Sequence, residues 1–123
     1  MSIKGIIQWQ WEGYAKFHKS RSNLWLHIFA VPIFIAGSVL LFSTVFNFSV
    51  LLLVVSILLM AVSLAVQGIG HNEEALPPEP FTGPVNAVIR ILLEQLYTFP
   101  KFVISGGWCT AYRNSKSSNK LSV

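Results

Sequence analysis

Charged positions leave a long gap in this chain. No Asp, Glu, Lys or Arg occurs between Arg21 and Glu73, so residues 22–72 carry no formal charge. A bilayer-crossing helix needs about 20 predominantly apolar residues. The gap accommodates two crossings and is too short for three. The pattern predicts one span over about 24–46, a turn at Asn47, and a second span over about 48–69. Pro32 lies inside the first span, where membrane helices tolerate it. Ser22 or Asn23 is placed to cap its start.

On the N-terminal side, residues 6–19 put Ile7, Trp11, Tyr14 and His18 at helical spacing. This reads as an interfacial helix, because Trp and Tyr favour the head-group layer. After the second span come Pro77, Pro78, Pro80 and Gly83, which predict a loop. Pro84 suits the first position of a new helix, expected to run to about Thr98 with Arg90 and Glu94 paired at i, i+4. Pro100 and Gly106-Gly107 interrupt the remaining apolar stretches, so the C-terminal helix is read as interfacial or re-entrant. The fold class expected is an all-α membrane protein. It comprises a transmembrane helical hairpin, an N-terminal interfacial helix and this C-terminal one. Residues 1–112 form one domain, and 113–123 a polar, disordered tail.

Composition fits that picture: 53% of the 123 residues are apolar and 11% charged, against about 25% charged in soluble domains. No secretory signal peptide is expected, because the apolar run is too long and starts too late. One cysteine, Cys109, rules out an intramolecular disulfide framework and reads as a structural thiol near Trp108. The net charge of +4 suits anionic lipid head groups rather than nucleic acid. Lys and Arg flank the hairpin and none lies at its turn. The positive-inside rule therefore places both termini in the cytoplasm. So small a hairpin is also a candidate for homo-oligomerisation.

Folding the hairpin about Asn47 sets His27 level with Gln67 and His71 level with Asn23, and His18 precedes the first span closely. All three histidines of the chain thus fall at one mouth of the hairpin. Imidazole suits Zn, Cu, Fe and Ni, and non-haem iron often takes histidines with a carboxylate. Glu73 and Glu74 follow His71 directly and are the candidate carboxylate ligands. Asn23, Gln67, Glu94 and Tyr14 are candidate partners that orient the ligands. Lys19 and Arg21, with Lys16, are candidates for neutralising a lipid carboxylate. The plainer alternatives are head-group anchoring for His18, solvated loop charges for Glu73 and Glu74, and topology alone for the cations. His27 sits inside an apolar helix, where a polar side chain is costly and tends to be functional.

Tyr14-x-x-x-His18-x-x-x-x-Asn23-x-x-x-His27, then Gln67-Gly68-Ile69-Gly70-His71, resemble the two histidine blocks of the Mpo1-like membrane family. Pro77-Pro78-x-Pro80-Phe81, Glu94-Gln95, Phe99-Pro100-Lys101-Phe102 and Ser105-Gly106-Gly107-Trp108 look like a bacterial branch of it. The resemblance covers roughly residues 10–110. The family includes a yeast iron(II)-dependent 2-hydroxy fatty acid dioxygenase of fatty acid α-oxidation. The resemblance therefore implies Fe2+, or another divalent metal, on His18, His27 and His71. It implies a long-chain 2-hydroxy fatty acid and O2 as reactants and, through the bacterial branch, a bacterial inner membrane. One departure is visible: a Glu often stands four residues after the second-block histidine in the family, and here that residue is Ala75. Two other functions stand beside this expectation: a non-enzymatic membrane scaffold or lipid-interacting module, and a haem-binding helical pair using His27 and His71.

Overall fold

The computed structural model describes the backbone of residues 1–122 and the side chains of residues 1–115. Helix α1 (Ile3–Tyr14) starts where Ser2 Oγ accepts a hydrogen bond from Gly5 N–H at 3.0 Å. A 3-10 turn (Ala15–Phe17) and an extended bend lead to α2 (Arg21–Ser43). Its cap position is Ser20 rather than Ser22 or Asn23, which lie within the helix. The Ser20 side chain makes no capping bond. Glu74 instead braces the approach to the helix from across the hairpin, accepting from Lys19 N–H at 2.9 Å and Ser20 N–H at 3.0 Å.

The hairpin is offset from the sequence expectation. It turns through residues 44–49, and α3 spans Val50–Asn72. Ser43 and Thr44 turn their hydroxyls back onto Leu40 O and Leu41 O, which ends α2 three residues early. Ser49 Oγ then caps α3 through Leu52 N–H at 3.3 Å. Small residues let the two backbones approach. A Cβ on Gly37 would stand 2.8 Å from Met60 Cγ and 3.0 Å from Ser56 O, and one on Gly70 would collide with Asn23. Ser63 Oγ donates to Ala30 O at 2.6 Å between the same helices.

The chain after the Pro-rich loop does not break at Thr98. Helix α4 (Pro84–Leu93) passes through a π turn (Glu94–Thr98) directly into α5 (Phe99–Ile104). Proline has no N–H and its ring crowds the carbonyl four residues back. The π turn, which bonds i to i+5, changes the register just before Pro100 and carries the helix through it. Gly106 then takes φ 86°, a left-handed bend that favours glycine, and α6 (Gly107–Ser122) comes next. The tail expected to be disordered from Arg113 is helical, and Ser115 is buried. The side chains of 116–123, over which the same expectation extended, lie outside the described residues. Cys109 is exposed rather than packed.

Tyr14, Leu24, Val31, Phe99 and Phe102 form the buried core, with Trp11, Trp108 and Tyr112 against it. Trp108 Nε1 donates to Leu24 O at 3.0 Å. This core lies at the mouth of the hairpin, where α1, α4–α5 and α6 pack. Away from it, α2 and α3 turn large apolar side chains outward: Phe42 is 67% exposed and Leu51 72%. A soluble helix this apolar is buried in a core. The chain is an all-α protein with two helices long and apolar enough to cross a membrane.

Candidate metal centre

Each histidine arrives by a different device. His18 ends the 3-10 turn with φ −131°. Its Nδ1–H donates to Tyr14 O at 2.8 Å, and the Tyr14 ring stacks on its imidazole at 3.8 Å. His27 occupies the second turn of α2 and donates Nδ1–H to Asn23 O at 3.1 Å. His71 stands in the last turn of α3. The three ring centroids form a near-equilateral triangle with sides of 4.8, 4.9 and 4.9 Å. The rings cross at 88°, 75° and 89°.

The carbonyl contacts fix the protonation pattern. A carbonyl oxygen only accepts, so the Nδ1 atoms of His18 and His27 carry hydrogen. In the neutral rings each Nε2 is then a bare lone pair. Both Nε2 atoms are buried with no hydrogen-bond partner, and so is Nδ1 of His71. Buried polar atoms are ordinarily paired. Here three unpaired nitrogens share one small space.

A carboxylate completes the group. Glu94 Oε2 lies 3.6 Å from His18 Nε2 and 3.7 Å from His27 Nε2. The four donor atoms of His18, His27, His71 and Glu94 all lie within 4.8 Å of one another. Ligands at about 2.1 Å from one metal stand roughly 3.0–3.4 Å apart, so a small contraction would close the set. Three buried, unpaired imidazole nitrogens, converging with a carboxylate oxygen that the Tyr14 hydroxyl holds, fit a divalent transition metal. The donor types suit iron and zinc alike.

Burial by itself would raise the Glu94 pKa. The contact and charge of His18, the charge of His27 and the Tyr14 hydroxyl outweigh it, holding the carboxyl at about 2. Tyr14 donates its hydroxyl to Glu94 Oε2 at 2.8 Å. Burial first, and then the Glu94 charge, push the Tyr14 phenol well above its ordinary value.

The other sequence candidates go elsewhere. Glu74 accepts from Lys19 and Ser20 N–H and from Asn23 Nδ2 at 2.6 Å, so it braces the entry to α2 rather than joining the imidazoles. Glu73 is exposed at the end of α3. Asn23 serves His27 through its backbone carbonyl and Glu74 through its amide. Gln67 touches no histidine through a hydrogen bond. It pairs reciprocally with Gln95, at 2.8 Å in each direction, and donates to Ser63 Oγ at 3.0 Å. Arg90 does not pair with Glu94; it donates to Glu79 O at 2.8 Å and Pro80 O at 3.0 Å. Lys19 is exposed, and Arg21 lies over the Tyr112 ring at 4.4 Å.

A cavity of about 710 Å³ opens beside the group, lined by His18, His71, Glu94, Lys16, Arg90 and the Pro78–Phe81 loop among others. Lys19 and Arg21 are not among its lining residues. That volume falls within the range of small-molecule sites.

Sequence reasoning treated Glu94 as an orienting partner and passed over Gln95, Gln10 and Thr98. The π turn decides their roles. It places two successive residues against the hairpin mouth: Glu94 toward the imidazoles and Gln95 toward Gln67. Thr98 reaches Gln10 and Gln10 reaches Arg90 O. The available signal was a Glu-Gln pair in an apolar helix shortly before a proline. Compared with known proteins, the chain matches no family model, no curated protein and no solved structure.

Proposed function

We propose that this chain is an iron(II)-dependent dioxygenase that shortens long-chain 2-hydroxy fatty acids by one carbon at the cytoplasmic face of a membrane. The observation that carries the reading is the convergence of three unpartnered imidazole nitrogens and one carboxylate beside a cavity. The likeness of the Tyr14–His27 and Gln67–His71 blocks to the dioxygenase family supports the choice of substrate and metal.

His18, His27, His71 and Glu94 would hold the metal. Bound there, ferrous iron supplies the Lewis acidity and the redox capacity that oxygen chemistry needs. The chain supplies orientation. Tyr14 O and Asn23 O lock two imidazoles in the tautomer that leaves Nε2 free. The Tyr14 hydroxyl holds Glu94 Oε2 in place. Phe99 and Phe102, both 3% exposed, shield the His27 and His18 rings from water at centroid distances of 5.9 and 6.3 Å. Trp9, Phe17, Leu64 and Phe81 give the cavity apolar wall for an alkyl chain. Breaking C1–C2 balances as 2-hydroxy acid plus O2 giving the acid one carbon shorter, carbon dioxide and water.

The test is metal content of the detergent-purified protein together with oxygen-dependent consumption of 2-hydroxypalmitate. One iron per chain and turnover, both lost in His71→Ala, are expected. Protein without stoichiometric metal, unaltered by that substitution, would refute the proposal. The haem reading loses its geometry. His27 and His71 stand 4.9 Å apart with His18 and Glu94 in the same space, which leaves no slot for a porphyrin. A scaffold role would have no use for a buried cluster of unpaired imidazoles.

A further inference from the structure

Arg90 is the one guanidinium on the cavity wall that also bears His18, His71 and Glu94. It is held more firmly than a surface arginine. The Trp9 ring lies on it at 4.9 Å and the Phe81 ring at 4.6 Å. Nη1 donates to Pro80 O at 3.0 Å and to Asn86 Oδ1 at 3.4 Å, and Nη2 donates to Glu79 O at 2.8 Å. These bonds occupy the outer edge of the guanidinium. Nε is buried and has no partner. Among the described residues no carboxylate comes within ion-pair distance of Arg90: the ion pairs present are those of Glu94 with His18 and His27.

A cation that is oriented by two rings, bonded only to neutral oxygens and left with a donor unmade is set up for an anion. The Nε and Nη2 edge of arginine matches a carboxylate in a two-bond fork, which here uses the second Nη2 hydrogen and a side-chain shift that uncovers Nε. Lys16 also lines the cavity, but it is exposed and lies loosely over Phe17 at 5.1 Å. Of the three acids on the wall, Glu79 acts on Arg90 through its charge without forming an ion pair, and the other two are engaged elsewhere. Glu12 accepts from Gln8 at 2.9 Å, and Glu94 faces the imidazoles.

We infer that Arg90 is the specificity-determining residue of the cavity, selecting lipids with a free carboxylate over their uncharged esters. This deepens the proposed dioxygenase reading and rests on it for the lipid class. On this inference Arg90, and not Lys19 or Arg21, meets the lipid head.

The experiment measures binding of 2-hydroxypalmitate and its methyl ester to the full chain in detergent. Oxygen is excluded so that no turnover intrudes, and each preparation is read with iron and after chelation. The wild type is expected to favour the acid by about tenfold or more, the range of a charge-assisted bond. Arg90→Gln should bring acid and ester within about twofold, and Arg90→Lys should recover part of the preference. Asn86→Ala removes the longest contact on Arg90 together with the Thr82 loop bond but keeps the charge, and should lower the ratio far less than Arg90→Gln. Equal weakening of acid and ester in Arg90→Gln, or an equal loss of preference in Asn86→Ala, would overturn the inference. Either result would mean Arg90 only latches the loop. Failure of the metal reading shows separately, as no iron retained, while the ratio on chelated protein still reports Arg90.

Discussion

The two ends of the hairpin obey opposite rules. Around the turn, α2 and α3 pack on each other alone, with Phe42, Phe46, Leu51 and Leu58 outward and Gly37 close against Ser56 and Met60. At the mouth, where α1, α4–α5 and α6 pack, Asn23, His27, Gln95 and Thr98 are fully buried. The turn end is built for an apolar solvent, where any aliphatic side chain of fair size will serve. The mouth is built from polar groups that must find partners, and three imidazole nitrogens have none. Sequence tolerance should therefore fall steeply from one end to the other.

Removing a donor should give the largest effect. Orienting partners of metal ligands are worth about 10–100-fold in metal affinity, so His27→Ala or Glu94→Ala should cost more than that, read by competition with a metal indicator. Unchanged affinity in Glu94→Ala would return the carboxylate role to the loop acids. Next comes Tyr14→Phe, which deletes the hydroxyl on Glu94 but keeps the ring on His18. It should weaken metal by about 10–100-fold with little change in thermal stability.

The two close approaches separate the ends directly. Gly70→Ala drives a methyl into Asn23, and Gly37→Ala drives one against Met60 and Ser56. Each should destabilise by about 1–3 kcal/mol in detergent melts, the usual cost of overpacking. Gly70→Ala alone should also loosen metal, because Asn23 supports both His27 and Glu74. Equal metal retention in both would erase the distinction.

Acid sharpens it further. Glu94 titrates at about 2 against an ordinary 4.5, so the folded state favours its charged form. That stabilisation is complete above about pH 4.5 and disappears as pH falls toward 2. Metal-free wild type should lose stability across that window, and Glu94→Gln should lack this part of the loss. The smallest effect belongs to the turn end. Leu58→Val changes an outward side chain and should shift stability by no more than about 0.5 kcal/mol in a bilayer mimic.

Particular residues show how far the sequence reached. His18, His27 and His71 were legible as neighbours because they flank a charge-free stretch whose length is fixed by the bilayer. The offset of the turn was not legible, since it depends on Ser43, Thr44 and Ser49 bonding to nearby backbone. Arg90 and Glu94 looked like a simple helical pair, yet Arg90 turns to the loop and Glu94 to the imidazoles.

The charge pattern by itself determined that this chain forms a helical hairpin of membrane-crossing length, because apolar length along one dimension is what a bilayer selects. It also determined which end of that hairpin gathers the histidines. Only the tertiary structure decided that Glu94, and not Glu73 or Glu74, faces them. That choice depends on a helix crossing the mouth and on a π turn that redirects two side chains, and the Glu-Gln pair before Pro100 does not by itself say which way either side chain turns.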